Sequence, residues 1–182
     1  MKQITIIAFR GTGFRSEKYK NEPVLIRAGH VGFLLEGDPI IYGFHPTTEA
    51  VEKAGGIDQL IELLKQHQRQ PGTVQDDTFV FVRAYDLAQA GASTDVYVIS
   101  YDLTEAEFKD VYTHVRTLYE TQKQMWYNFP KRDGTFAEGE SNCAIFPSLI
   151  GIPIPSLNGM VKEYIEEMKK NGATIWHPPR QL

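Results

Sequence analysis

Residues 28 to 46, AGHVGFLLEGDPIIYGFHP, constrain the fold of this chain more than any other stretch. Two apolar runs flank Glu36-Gly37-Asp38-Pro39, a cluster of turn-forming residues, and that pattern specifies a β-hairpin. With Gly37-Asp38 as a two-residue loop, Leu35 lies opposite Ile40 and Phe33 opposite Tyr42. Continuing outward sets His30 opposite His45. Directly opposed residues share a face with Cβ atoms about 5 Å apart, so this register brings two imidazoles together. A slip of one residue would put them on opposite faces.

The flanking sequence predicts a mixed architecture. Lys2 to Phe9 reads as a strand, residues 10 to 22 as an exposed loop, and Pro23 to Ala28 as a short strand. Gly11-Thr12-Gly13 lacks the further glycine and the Lys-Ser/Thr of a phosphate-binding loop. Thr47 to Gln68 carries Ile57, Leu60, Ile61 and Leu64 as one helical stripe, ended by Gln70-Pro71-Gly72. Thr78 to Ala84 and Asp95 to Tyr101, rich in Val, Phe and Tyr, read as strands. Thr104-Glu105-Ala106-Glu107 is a capping box opening a long helix through Phe108, Val111, Val115 and Leu118. Trp126 to Glu140 reads as a loop, and Asn158 as the cap of a last amphipathic helix with Tyr164, Ile165 and Met168. The expectation is one α+β domain over residues 1–182. It has an antiparallel sheet of four to six strands with packed helices.

Composition narrows the function classes. A formal net charge of −4 gives no general attraction to nucleic acid or an anionic membrane surface. The first apolar run, within MKQITIIAFRGTGF, is too short for a signal-peptide core or a membrane span. A cytoplasmic protein without an integral membrane segment is therefore expected. The one cysteine excludes an intrachain disulfide framework and a multi-cysteine zinc site.

That cysteine, Cys143, lies in GESNCAIFPSLIG, after two good helix-capping residues, Ser141 and Asn142. A thiol on the first turn of a helix faces unpaired N–H groups and the positive end of the dipole, which favour the thiolate. A cysteine nucleophile also needs an imidazole to exchange protons with it, and that imidazole needs a second polar group to fix its tautomer. His30 and His45 on adjacent strands fit the base and orienting roles. Each also has a plainer reading: Cys143 as an inert core thiol, His30 as a core histidine bonded to backbone, His45 as a surface residue before Pro46. A two-His, one-Cys metal site is a further alternative. It is disfavoured because no closely spaced ligand pair such as H-x-x-x-H is present, so neither a metal nor another cofactor is expected. Tyr127 precedes the cysteine segment closely enough to donate to an oxyanion.

A histidine in GHVGF on a strand, a polar residue on the partner strand and a downstream N-C-x-x-F segment together resemble the circularly permuted papain-like cysteine hydrolases. These are grouped with the NlpC-like cell-wall peptidases and the lecithin retinol acyltransferase group. In unpermuted members the cysteine precedes the histidine; here His30 precedes Cys143. The resemblance, which covers about a quarter of the chain, implies a permuted papain-like fold with Cys143 as nucleophile. It makes His30 the base, His45 the third, orienting residue and Tyr127 an oxyanion donor. It implies amide hydrolysis first, as a peptidase or amidase acting on peptide, amide or acyl substrates. A lipid-directed thioesterase or acyltransferase with the same site is the alternative. A non-catalytic binding protein of the same fold is the rival from another class. Two features depart from the pattern: Pro147 sits where the cysteine helix should continue, and residues 47–140 hold more helix and strand than a minimal member needs, which against that resemblance implies an added lid or specificity element. Neither the substrate nor the oligomeric state is legible.

Overall fold

The computed structural model of the protein describes residues 1–92, 94–153 and 161–179. The fold is mixed α+β, built on one eight-stranded sheet. In chain order the strands are β1 (Lys2–Arg10), β2 (Gly29–Leu35), β3 (Ile41–Pro46), β4 (Gln70–Asp76), β5 (Val96–Leu103), β6 (Met125–Tyr127), β7 (Glu140–Ser141) and β8 (Thr174–Ile175). The helices are α1 (Val24–Ala28), α2 (Thr48–Ala54), α3 (Ile57–Lys65), α4 (Thr78–Gln89), α5 (Glu105–Thr121), α6 (Phe146–Leu149) and α7 (Val161–Lys170). The strand order is β7-β6-β4-β3-β2-β1-β5-β8, and every adjacent pair is antiparallel except β6–β7. Eight strands exceed the four to six expected, because β4, β6, β7 and β8 lie in stretches that carry no apolar alternation. No helix among the described residues is long and apolar enough to cross a membrane.

Alternation along the central strands builds a core on each face. Ile4, Ile6 and Ala8 of β1, with Val31, Phe33 and Leu35 of β2, pack with Val111 and Val115 of α5 and Tyr164 and Ile165 of α7. Ile7 and Phe9 face the other way, against Phe81, Ala84 and Leu87 of α4. The hairpin has the expected register, with Phe33 opposite Tyr42 and Gly32 opposite Gly43. Its turn is wider than two residues: Asp38 N–H donates to Leu35 O, and the Asp38 carboxylate accepts from Ile40 N–H and Tyr42 Oη–H.

Three local expectations need correction. Pro23 to Ala28 forms α1, not a strand; Gly29, at φ +84°, then turns the chain directly from helix into β2. Thr78 to Ala84 is the start of α4. Its β-branched and aromatic composition favours a strand, but the buried residues recur at Phe81, Ala84 and Leu87 while Phe79 is 71% exposed, so only a helix buries the right face. Gln70-Pro71-Gly72 does not merely end a helix but opens β4, paired with both β3 and β6. The capping box of α5 forms as read, with both reciprocal bonds made between Thr104 and Glu107. Asn158 lies outside the described residues. Residues 47–140 are woven into the sheet, since they supply β4, β5 and β6; within them α2 and α3 are separated at Gly55-Gly56, both at positive φ.

Candidate active site

Strand β2 begins at Gly29, and His30, its second residue, is fully buried. Its ring lies on the α4 face, 5.7 Å from the Phe81 ring. Nε2 is 2.7 Å from Asp77 Oδ2. A carboxylate can only accept, so the proton sits on Nε2 and Nε2–H donates. The other oxygen of the same carboxylate, Oδ1, accepts from His45 Nε2–H at 2.9 Å. His45 Nδ1 lies 3.2 Å from the Pro46 carbonyl oxygen and 3.3 Å from Gln75 Nε2, so it donates to the carbonyl when protonated and accepts from the amide when not. The two imidazoles, whose centroids are 5.8 Å apart, thus share one buried carboxylate.

His45, expected to orient the His30 ring, does not bond to it directly. The hairpin does bring both rings to one side, but Asp77 bonds each of them and the orienting contact on His30 is a carboxylate. Asp77 stands at the N-terminus of α4, where an aspartate ordinarily caps the helix. Its side chain makes no cap; Asp76 Oδ1 accepts from Thr78 N–H instead. Asp77 is held by its backbone, N–H to Ile41 O at 2.8 Å, which ties it to the start of β3. Gly43 makes room for it. A Cβ there would lie 1.7 Å from Asp77 Oδ2 and 2.5 Å from His30 Nε2, on the hydrogen bond itself.

The electrostatics follow from this geometry. Burial opposes the ionised carboxylate, but hydrogen bonds from His30 and then His45 outweigh it and hold Asp77 down at about 2. Burial likewise opposes a charged His30; the bond to Asp77 and then the interaction with Cys143 overcome that and raise it to about 10.

Cys143 comes to this ring from the far edge of the sheet. β7 pairs parallel to β6, with Ser141 beside Tyr127, and Asn128 N–H donates to Ser141 O, so the cysteine segment is pinned two residues beyond that pair. Asn142 caps the turn that follows. Its Oδ1 accepts from Ala144 N–H and Ile145 N–H, and its carbonyl from Phe146 N–H. Cys143, 5% exposed, thus lies in a hydrogen-bonded turn three residues before α6 begins at Phe146, and not on the first turn of that helix as expected. The regular helix α6 is only four residues, with Pro147 near its start, so a macrodipole can contribute little. Cys143 lies within interaction range of His30. His30 Nδ1 is buried and makes no hydrogen bond of ordinary geometry. Loose contacts of this kind are common in resting sites and tighten when substrate binds.

Tyr127 completes the cluster. It is buried, and it interacts with both the side chain and the backbone of Cys143. Burial and then the charge of Cys143 push the phenol well above its ordinary range, so it stays a neutral donor. Among the described residues no group of three or more His, Cys, Asp and Glu is arranged to hold a metal ion. The arrangement can move a proton between Sγ and a carboxylate-oriented imidazole, with the Tyr127 phenol close by.

In comparisons with known proteins, no family model matches the chain, and no curated protein or solved structure matches it. The sequence reading therefore found Cys143, His30, His45 and Tyr127, all of which meet here, and missed Asp77. One signal pointed to it. Two consecutive aspartates precede Thr78 where a helix needs only one cap, which leaves the second free for another task.

Proposed function

We propose that the protein is a thiol hydrolase that cleaves an amide or ester-type acyl bond through an acyl-enzyme on Cys143. The observation that carries this reading is His30: one nitrogen donates to a buried carboxylate, and the other, without a hydrogen bond of its own, is turned to the only cysteine. With one proton fixed on Nε2, Nδ1 holds the proton taken from the thiol, and the environment that raises His30 keeps the ring doubly protonated at neutral pH until the leaving group needs that proton. Sγ then attacks the carbonyl carbon. The oxyanion is met by Tyr127 Oη–H. His30 Nδ1–H gives its proton to the leaving group as the carbonyl-to-leaving-group bond breaks, leaving a thioester on Cys143. Water attacks that thioester, His30 takes the water proton, the C–S bond breaks, and the proton returns to sulfur as the carboxylic acid leaves. Asp77 keeps the tautomer and ring plane throughout, and His45 on its second oxygen keeps the carboxylate from rotating. A permuted papain-like relationship is part of the same reading, supported by the order His30, then Cys143, and by the strand placement of the base.

The test is alkylation of Cys143 by iodoacetamide at neutral pH in the wild type and in His30→Ala and Asp77→Ala. A site built for nucleophilic chemistry labels fast and loses on the order of 100-fold in rate without its base. Equal, slow labelling in all three proteins would assign the fold to a binding protein with an inert thiol.

A further inference from the structure

Beside the site lies a cavity of about 330 Å³. Its wall is formed by Val24 and Leu25 of α1, Val51 of α2, and Ile57, Ile61 and Leu64 of α3, among other apolar residues. No Asp, Glu, Lys, Arg, Asn or Gln lines it. The polar side chains in the wall are Thr48 and three residues of the site itself, His30, His45 and Tyr127. The cavity is therefore polar at its His30, His45 and Tyr127 end, with Cys143 behind these residues and not itself in the wall, and Thr48 apart it is apolar elsewhere. Several of its aliphatic residues, among them Val24, Leu25, Val51, Ile57 and Ile61, are only partly buried, so folding has left their surface uncovered.

We infer that this cavity receives a medium-length aliphatic acyl chain of the substrate, whose carbonyl then lies at the His30 and Tyr127 end. The inference rests on the acyl-enzyme reading of Cys143 and names its substrate class. Three observations lead to it. Cys143 and His30 are almost wholly buried, so a carbonyl must approach through space that the base lines, and His30 lines this cavity. At roughly 30 Å³ per water-sized group, the volume holds about ten methylenes. A leucine or phenylalanine side chain, with four or seven carbons, would leave about a third or more of it unfilled at that size per carbon. Finally, a peptide main chain would need donors and acceptors that this wall, Thr48 apart, does not offer from its side chains. An apolar chain needs none, and its burial is favourable at every methylene.

The test uses p-nitrophenyl esters of two to sixteen carbons, with octanoyl p-nitroanilide and an octanoyl thioester to separate amide and thioester sources of the same chain. The expected kcat/KM rises about two- to fourfold per methylene and stops rising near ten carbons. Ile61→Trp and Val51→Phe, on two different helices, each shrink the cavity and should lower the ratio of decanoyl to acetyl turnover at least tenfold. Displacement of a fluorescent probe by decanoate, compared with butyrate, reads the cavity without turnover and is carried out on Cys143→Ala as well. Cys143-dependent turnover that is flat with chain length, with decanoate no better than butyrate, would overturn the inference and leave the hydrolase reading standing. Tight decanoate binding that is weakened by Ile61→Trp, with no Cys143-dependent turnover, would overturn the hydrolase reading and uphold the cavity as an acyl-chain site.

Discussion

Gly43→Ala isolates the carboxylate–imidazole contact without touching any polar group. Gly43 has no left-handed backbone conformation, so alanine is allowed there on φ alone. In a strand that exchange ordinarily stabilises by about 0.4–1 kcal/mol, through a less disordered unfolded chain. Here the new methyl would sit 1.7 Å from Asp77 Oδ2 and 2.5 Å from His30 Nε2. Neither group can retreat while keeping the 2.7 Å bond, because His30 is backed by the Phe81 ring and Asp77 is fixed through its own N–H. The bond must break, leaving His30 buried without its carboxylate and Asp77 with His45 alone, which costs about 3–5 kcal/mol. The sign of the ordinary glycine effect is thereby reversed. Denaturant unfolding at neutral pH measures it, with Gly37→Ala as control. That hairpin-tip glycine has φ +83° and open space around its missing Cβ, so its replacement should cost only about 1–2 kcal/mol of backbone strain. Turnover of Gly43→Ala should fall on the order of 10²- to 10⁴-fold, since the imidazole loses the group that fixes its tautomer. A Gly43→Ala protein as stable and as active as the wild type would refute the argument that this contact holds the site together.

Stability should also fall on both sides of a central pH range. Asp77 is held below its unfolded value, so its contribution is intact above the ordinary carboxylate range and is lost as pH falls from about 4 toward 2. His30 is held above its unfolded value, so its contribution is complete below about 6.5 and drains away as pH rises toward 10. Unfolding free energies against pH should show both slopes in the wild type, and Asp77→Asn should flatten them. His45→Ala removes one donor from Asp77 but leaves His30 paired, so it should cost about 1–3 kcal/mol and lose less activity than Asp77→Asn; equal losses would return the orienting role to His45. Tyr127→Phe should lower kcat by about 100-fold with little change in KM, and an unchanged kcat would remove Tyr127 from the oxyanion site.

The parts of the fold that were legible are those where local chemistry and tertiary packing agree. The turn cluster at Glu36 to Pro39 fixed a register that carries His30 and His45 to one side, and Thr104 with Glu107 marked the start of α5 correctly. Where the two disagree, the sequence misleads. Thr78 to Ala84 has strand composition but is helical, because the packing against Phe9 and Ile7 needs Phe81, Ala84 and Leu87 on one face. β6 and β7, at three and two residues, are too short to leave an alternating pattern, yet they position Tyr127 and Cys143. Asp77 was hidden for a related reason. It lies 47 positions from His30 in the chain and reaches it only because β4 pairs with β3, a pairing announced by Gln70-Pro71-Gly72, which reads as a helix stop. Gly43 looked like an ordinary strand glycine until the carboxylate it admits was seen.

The central claim is that Cys143 carries the acyl group during turnover. The most direct measurement is acid quenching during hydrolysis of an octanoyl ester, followed by intact-mass and peptide mapping. The account predicts one octanoyl group, on the peptide containing Cys143, that disappears when substrate is exhausted and is absent from Cys143→Ala. Turnover at an undiminished rate in Cys143→Ala, or an acyl group carried on another residue, would contradict it.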